Sequence, residues 1–107
     1  MLYNYHMPQK KRLEQFKVIL RQQLPFLREQ YSVATIEVFG SYVRHEERKD
    51  SDLDLLVTFT KTPSLLKFIR LERHLSENLG VKVDLVMKDS LKPVMGKRII
   101  KEAEPVS

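Results

Sequence analysis

Two short stretches decide the fold: Val33-Ala34-Thr35-Ile36-Glu37-Val38-Phe39-Gly40-Ser41 and Ser51-Asp52-Leu53-Asp54-Leu55-Leu56-Val57. The run Val33–Phe39 is rich in β-branched residues and alternates in polarity, so it reads as a strand. Gly40-Ser41 breaks it. A short helix from Tyr42 is expected there, with Ser41 as its cap. His45–Ser51 is charged and reads as a solvated loop, and Leu53–Phe59 as a second strand. Residues two apart on a strand share a face. Asp52 and Asp54 therefore point one way, while Leu53, Leu55 and Val57 point the other way, into a core.

On the N-terminal side, Gln9–Gln30 reads as a helix. Leu13, Phe16, Leu20, Leu24 and Leu27 form one apolar stripe, and Pro25 predicts a kink or a restart. On the C-terminal side, Thr62-Pro63 opens a helix with Pro at its first position. Leu65, Phe68, Leu71, Leu75 and Leu79 give its stripe, and Gly80 ends it. Val81–Met87 reads as a third strand. A last helix is capped by Asp89 or Ser90 and carries Pro93 in its first turn, with Gly96 as a weak point. Glu104–Ser107 is expected to fray. The order is αβαβαβα: an α/β (α+β) class, one small sheet covered by helices, as a single domain over residues 1–107.

In the third strand Val81, Val83 and Leu85 share one face, and Asp84 lies on the other with Lys82 and Val86. If the second and third strands are neighbours with aligned core faces, Asp52, Asp54 and Asp84 converge. Taken singly, each reads more readily as a polar residue on a wet sheet face, or, for Asp52, as a turn residue. Together they point further, because Asp is disfavoured mid-strand and like charges on one face repel. A divalent cation such as Mg²⁺ or Mn²⁺ would offset that repulsion. Gly40 allows close approach of backbone to a ligand. Ser41 offers a hydroxyl and an N–H at a helix start, and Arg44 can add a guanidinium to the same anion. Alone, Gly-Ser is an ordinary turn. Beside three aspartates it suggests a phosphate seat, and the set suits metal-assisted transfer from a nucleoside triphosphate.

The chain has 107 residues, a net charge of +5 and no cysteine, which leans towards anionic partners and excludes disulfides and Cys-based zinc. A cytoplasmic setting is expected. No run is long and apolar enough for a membrane span, and Met1–Met7 carries no apolar leader core. Lys10-Lys11-Arg12 and Lys97, Arg98 and Lys101 are basic clusters without an aromatic platform, so nucleic acid is not the favoured partner. His6 and His74 read as surface residues.

The residues Val38-Phe39-Gly40-Ser41-Tyr42-Val43-Arg44 and Ser51-Asp52-Leu53-Asp54-Leu55-Leu56-Val57 resemble the Gly-Ser…Asp-x-Asp signature of minimal nucleotidyltransferase (MNT) domains, within the DNA polymerase β-like nucleotidyltransferase superfamily. Asp84 in Val83-Asp84-Leu85-Val86 matches the third acidic position. The resemblance implies a polymerase β-like palm with a mixed sheet. It implies that Asp52 and Asp54 hold the metals, and that Asp84 completes the site and helps to deprotonate the attacking hydroxyl. Gly40, Ser41 and Arg44 would hold the triphosphate of ATP. It further implies a HEPN-domain partner, with the chain acting as a type VII antitoxin by AMPylation of a toxin tyrosine. The alternative is a non-catalytic antitoxin that neutralises its partner by contact. One departure stands out: where family members often have Arg-Gly-Glu, this chain has Arg44-His45-Glu46. His45 reads as a loop residue that alters the turn, narrows the mouth of the site, or touches phosphate. One core of this size leaves little surface for an acceptor. A partner or a second subunit, in a homo- or hetero-oligomer, is expected to supply it.

Overall fold

Four strands lie side by side in the order β3-β2-β1-β4 in the computed structural model, which describes residues 9–106. The strands are β1 (Val33–Phe39), β2 (Leu53–Phe59), β3 (Val83–Met87) and β4 (Glu104–Pro105). The helices are α1 (Gln9–Tyr31), α2 (Leu65–Leu79) and α3 (Pro93–Glu102), with a 3₁₀ turn at Lys88–Ser90. Met1–Met7, His6 and the side chains of Lys10 and Lys11 lie outside the described residues.

The sheet is mixed: β1 is antiparallel to β2 and to β4, while β2 and β3 run parallel. A parallel pair needs a crossover, and α2 provides it. The stripes of α1 and α2 pack on one sheet face. Leu13, Phe16, Leu20, Leu24, Leu27, Leu71, Leu75 and Leu79 meet Ile36, Val38, Leu53, Leu55, Val57, Val83 and Leu85 in one core. β2 is one of the two inner strands, and even Leu56, on its other face, is buried.

The mixed α/β class is as the sequence predicts, with local differences that have physical reasons. The helix expected from Tyr42 does not form. Residues 41–45 make successive turns instead, with Val43 and Arg44 N–H both donating to the Gly40 carbonyl. His45 ends them in the left-handed region at φ 58°. A helix cannot continue through that conformation without strain. Glycine would adopt it at little cost. α1 continues through Pro25 to Tyr31 rather than restarting, because Leu20, Leu24 and Leu27 bury both halves against the same core. α2 starts at Leu65, after Pro63, since the Ser64 side chain accepts the Lys67 N–H as its cap. α3 has Lys92 rather than Asp89 or Ser90 at its N-cap, those two being in the 3₁₀ turn.

Glu104–Val106 does not fray, and Ser107 lies outside the described residues. Glu104–Pro105 adds a fourth strand to β1, and the Val106 N–H donates to the Ile36 carbonyl at 3.1 Å. Val106 is buried in the core. Arg21 Nη1 donates to its carbonyl at 2.7 Å, and Lys17 pairs with Glu104 at 2.7 Å. His74 is not a plain surface residue either. It is half-buried, stacked against Phe26 and Tyr31, and hydrogen-bonded to Gln23.

Candidate active site

The ends of β1, β2 and β3 form one row on the sheet face opposite α1 and α2. Asp54 is the register partner of Phe39 on β1 and of Asp84 on β3. This row brings two of the three sequence-predicted carboxylates together directly. Asp52 precedes β2 by one residue, and its carboxylate faces the exposed Lys82 ammonium 3.8 Å away. Among the described residues, no three acidic or histidine side chains are gathered closely enough to cage an ion unaided. The aspartates form an open row.

The electrostatics of that row are strained. Burial pushes the Asp54 carboxyl up to about 6, and the charges of Asp84 and Asp52 add to the shift against a smaller opposing pull from Arg44. An acid held this high is one whose charge lacks a counterion. The donor set therefore suits a cation: oxygen ligands only, with excess negative charge at the centre.

Gly40 carries the adjoining turn. Its φ is +83°, where side chains are disfavoured, and a Cβ there would fall 2.0 Å from Asp54 Oδ2. The Asp54 carboxylate therefore lies directly against the Gly40 backbone. The turn is anchored from below by Tyr42, whose buried ring meets Phe16 edge-on at 5.4 Å. Arg12 caps both rings at 5.7 Å. Ser41 begins the turn half-buried, and its carbonyl accepts the Glu46 N–H.

Arg44 is exposed but not free. Its Nε donates to Glu46 at 3.0 Å and its Nη1 to Glu102 at 2.8 Å. The second oxygen of Glu102 accepts the Gly40 N–H at 2.6 Å. Burial pushes the Glu102 carboxyl up, but the bonds from Arg44 and Gly40 outweigh it and leave the group below the usual carboxylate range. Sequence reasoning missed Glu102. The one signal for it is that it is the sole acid on α3, among Lys97, Arg98 and Lys101.

A cleft of about 260 Å³ opens beside this turn, lined by Phe39, Gly40, Arg44 and Asp54 on one side and Met95, Arg98, Ile99 and Glu102 of α3 on the other. A larger groove of about 360 Å³ lies between α1 and the start of α2, but no carboxylate lines it. Chemistry, not size, marks the first.

Residues 20–106 match the family model described as a nucleotidyltransferase domain. The chain belongs to the nucleotidyltransferase domain family. A curated relative, the protein adenylyltransferase MntA of Thermococcus cleftensis, is 52% identical over 90 residues, covering 84% of this chain and 91% of its own length. A solved minimal nucleotidyltransferase structure superposes with a TM-score of 0.71 at 35% identity, covering 94% of this nucleotidyltransferase and 97% of that chain. A Shewanella oneidensis structure, of a tri-AMPylated HEPN toxin in complex with an MNT antitoxin, shares the fold with a TM-score of 0.63 at 22% identity. There the match covers 86% of this chain and 71% of that one. The enzyme class is therefore nucleotidyl transfer.

Proposed function

We propose that this nucleotidyltransferase moves AMP from ATP onto a hydroxyl of an acceptor protein, a tyrosine of a HEPN-type toxin, and thereby acts as its antitoxin. The observation that carries the reading is the row Asp54–Asp84 beside the Gly40–Arg44 turn. It puts a cation-seeking carboxylate next to anion-seeking donors, and a metal-nucleotide has both charges. The names of the relatives support the donor and the acceptor class.

In this reading the acceptor oxygen attacks the α-phosphorus, the bond to the bridging oxygen breaks, and pyrophosphate leaves in line. Asp84, exposed at the edge of the row, accepts the hydroxyl proton. Gly40 N–H, Ser41 and Arg44 hold the departing phosphates. Asp52, Asp54 and Asp84 would hold Mg²⁺ or Mn²⁺, which when bound supplies Lewis-acid stabilisation of phosphoryl oxygens. The Asp54 carboxylate lies against the Gly40 backbone, which places the charge centre of the site beside the phosphate seat. We place the reaction in the cytoplasm, in keeping with a cysteine-free chain. Among the described residues, no helix is long and apolar enough to cross a membrane.

A contact-only antitoxin is the second reading. It is favoured by one observation: Gly40 N–H and Arg44 are already occupied by Glu102. The two readings separate by mass spectrometry of a purified HEPN-type partner incubated with ATP and this protein. An added AMP that vanishes with Asp52→Asn/Asp54→Asn supports transfer. Full neutralisation of the partner by that variant, without the added mass, replaces transfer with contact.

A further inference from the structure

Glu102 sits where a phosphate would sit. Its two carboxylate oxygens take one backbone N–H and one guanidinium N–H, from Gly40 and Arg44, at 2.6 and 2.8 Å. That pairing of donors is how proteins hold phosphate oxygens. The Glu102 side chain is 19% exposed, while that of Arg44 is 45% exposed, so the carboxylate fills the inner part of the seat. The Gly40 N–H and one Arg44 Nη1–H are already spent on Glu102, so an incoming phosphate competes for these two donors, and the cleft wall beyond holds another acid, Asp54.

We propose that Glu102 is an intramolecular stand-in for the terminal phosphates of the nucleotide, occupying the Gly40–Arg44 seat in the free protein, yielding it to a triphosphate and reclaiming it as pyrophosphate departs. The inference rests on the nucleotide-binding reading above and adds a residue that sets donor affinity and product release.

Two features make the exchange cheap. Glu102 is the last residue of α3, so its side chain can turn without moving a helix interior. Arg98 lies four residues earlier on the same helix and already attracts the carboxylate, giving the displaced group a second cation one helical turn away. While Glu102 is seated, the binding-competent fraction of the protein is small, and apparent affinity falls by that fraction. The same competition keeps the leaving group from blocking the site.

The test is calorimetry with two probes, AMP-PNP and inorganic tripolyphosphate, each with Mg²⁺. The proteins compared are wild type, Glu102→Gln, Glu102→Asp and Arg44→Ala, each checked for folding by thermal melting. Glu102→Gln removes the competing charge. Glu102→Asp keeps the charge on an arm too short to reach both donors, and serves alone should the Gln variant fail to fold. Both should bind both probes about tenfold more tightly, as expected when a seat open about a tenth of the time is opened fully. Arg44→Ala should bind both more weakly. If Arg44→Ala weakens binding but the Glu102 variants bind as wild type or worse, Glu102 is a brace for the turn and the stand-in role is wrong. If only the Gln variant tightens, a general charge effect explains it and the stand-in role is again wrong. If Arg44→Ala changes nothing, the phosphate seat itself is misplaced and the inference falls with it.

Discussion

Asp54 and Asp84 stand side by side across the parallel pair β2–β3, in register and on the same sheet face. Neighbouring strands are only about 4.8 Å apart, so the two carboxylates repel unless a proton or a cation intervenes.

Asp54 makes stability fall as pH rises. Its carboxyl titrates at about 6 folded, against 3.8 ordinarily, so folding takes up a proton between those values. The favourable contribution is present in acid, is lost through that window, and is gone above about pH 6. Asp54→Asn should therefore be more stable than wild type at pH 7.5 by about 2 kcal/mol, and no more stable near pH 4. Denaturant unfolding at the two pH values, in chelator, measures the difference. A gap that does not widen with pH would show that Asp54 is unperturbed.

Mg²⁺ should relieve the same repulsion. With AMP-PNP present, adding Mg²⁺ is expected to raise the melting temperature, and chelator should reverse it. In Asp52→Asn/Asp54→Asn the increment should disappear while the metal-free melting temperature holds or rises. Equal AMP-PNP affinity with Mg²⁺ and with chelator would remove the metal from the proposed mechanism.

Gly40→Ala should cost stability heavily, by about 2–4 kcal/mol, because strain at positive φ adds to a collision with the Asp54 carboxylate. Gly80→Ala is a matched comparison. Its φ is also positive, at 69°, but nothing lies within 4 Å of the added methyl. That variant should lose only about 1 kcal/mol. Similar losses at both sites would mean that Asp54 yields easily.

His45→Gly should stabilise the fold by about 1 kcal/mol, since a non-glycine residue held at φ 58° is relieved of left-handed strain. Chemical denaturation is the readout. Nucleotide affinity measured alongside would show whether the imidazole touches phosphate, because a contact would be lost while stability rises.

Val106→Ala should destabilise by about 1–3 kcal/mol, the scale for removing buried methyl groups. A frayed tail would show no change. The buried position of Val106 beside Ile36 predicts the loss.

Much of this architecture is legible in the residues. The stripe of α1 reports burial directly, and that of α2 does so from Phe68 onward, although Leu65 at its start is exposed. The alternation of β1 marks a strand but misses the register shift after Val33, which puts Val33 and Ile36 on the buried side together. The parity of Asp54 and Asp84 reports which way each side points. What escapes is whatever depends on distant residues meeting. β4 is two residues long, with no periodicity to read, and exists because β1 has an open edge. The turn at 41–45 looks like a helix start locally and is stopped by the left-handed His45. Glu102 looks like one more charge on a basic helix. Only the fold carries it back to a glycine 62 positions earlier in the chain.

The short strand β4 bears on kinetics. Glu102 is followed by one residue, Ala103, before Glu104–Pro105 is bound to the edge of β1 and Val106 is sunk in the core. The backbone beneath Glu102 is thus moored on its C-terminal side. The seat can then open by a side-chain rotation alone, an event of picoseconds to nanoseconds rather than of microseconds to milliseconds. Nucleotide should enter at a rate set by encounter, with a single exponential phase in stopped-flow and no slow step that saturates with concentration.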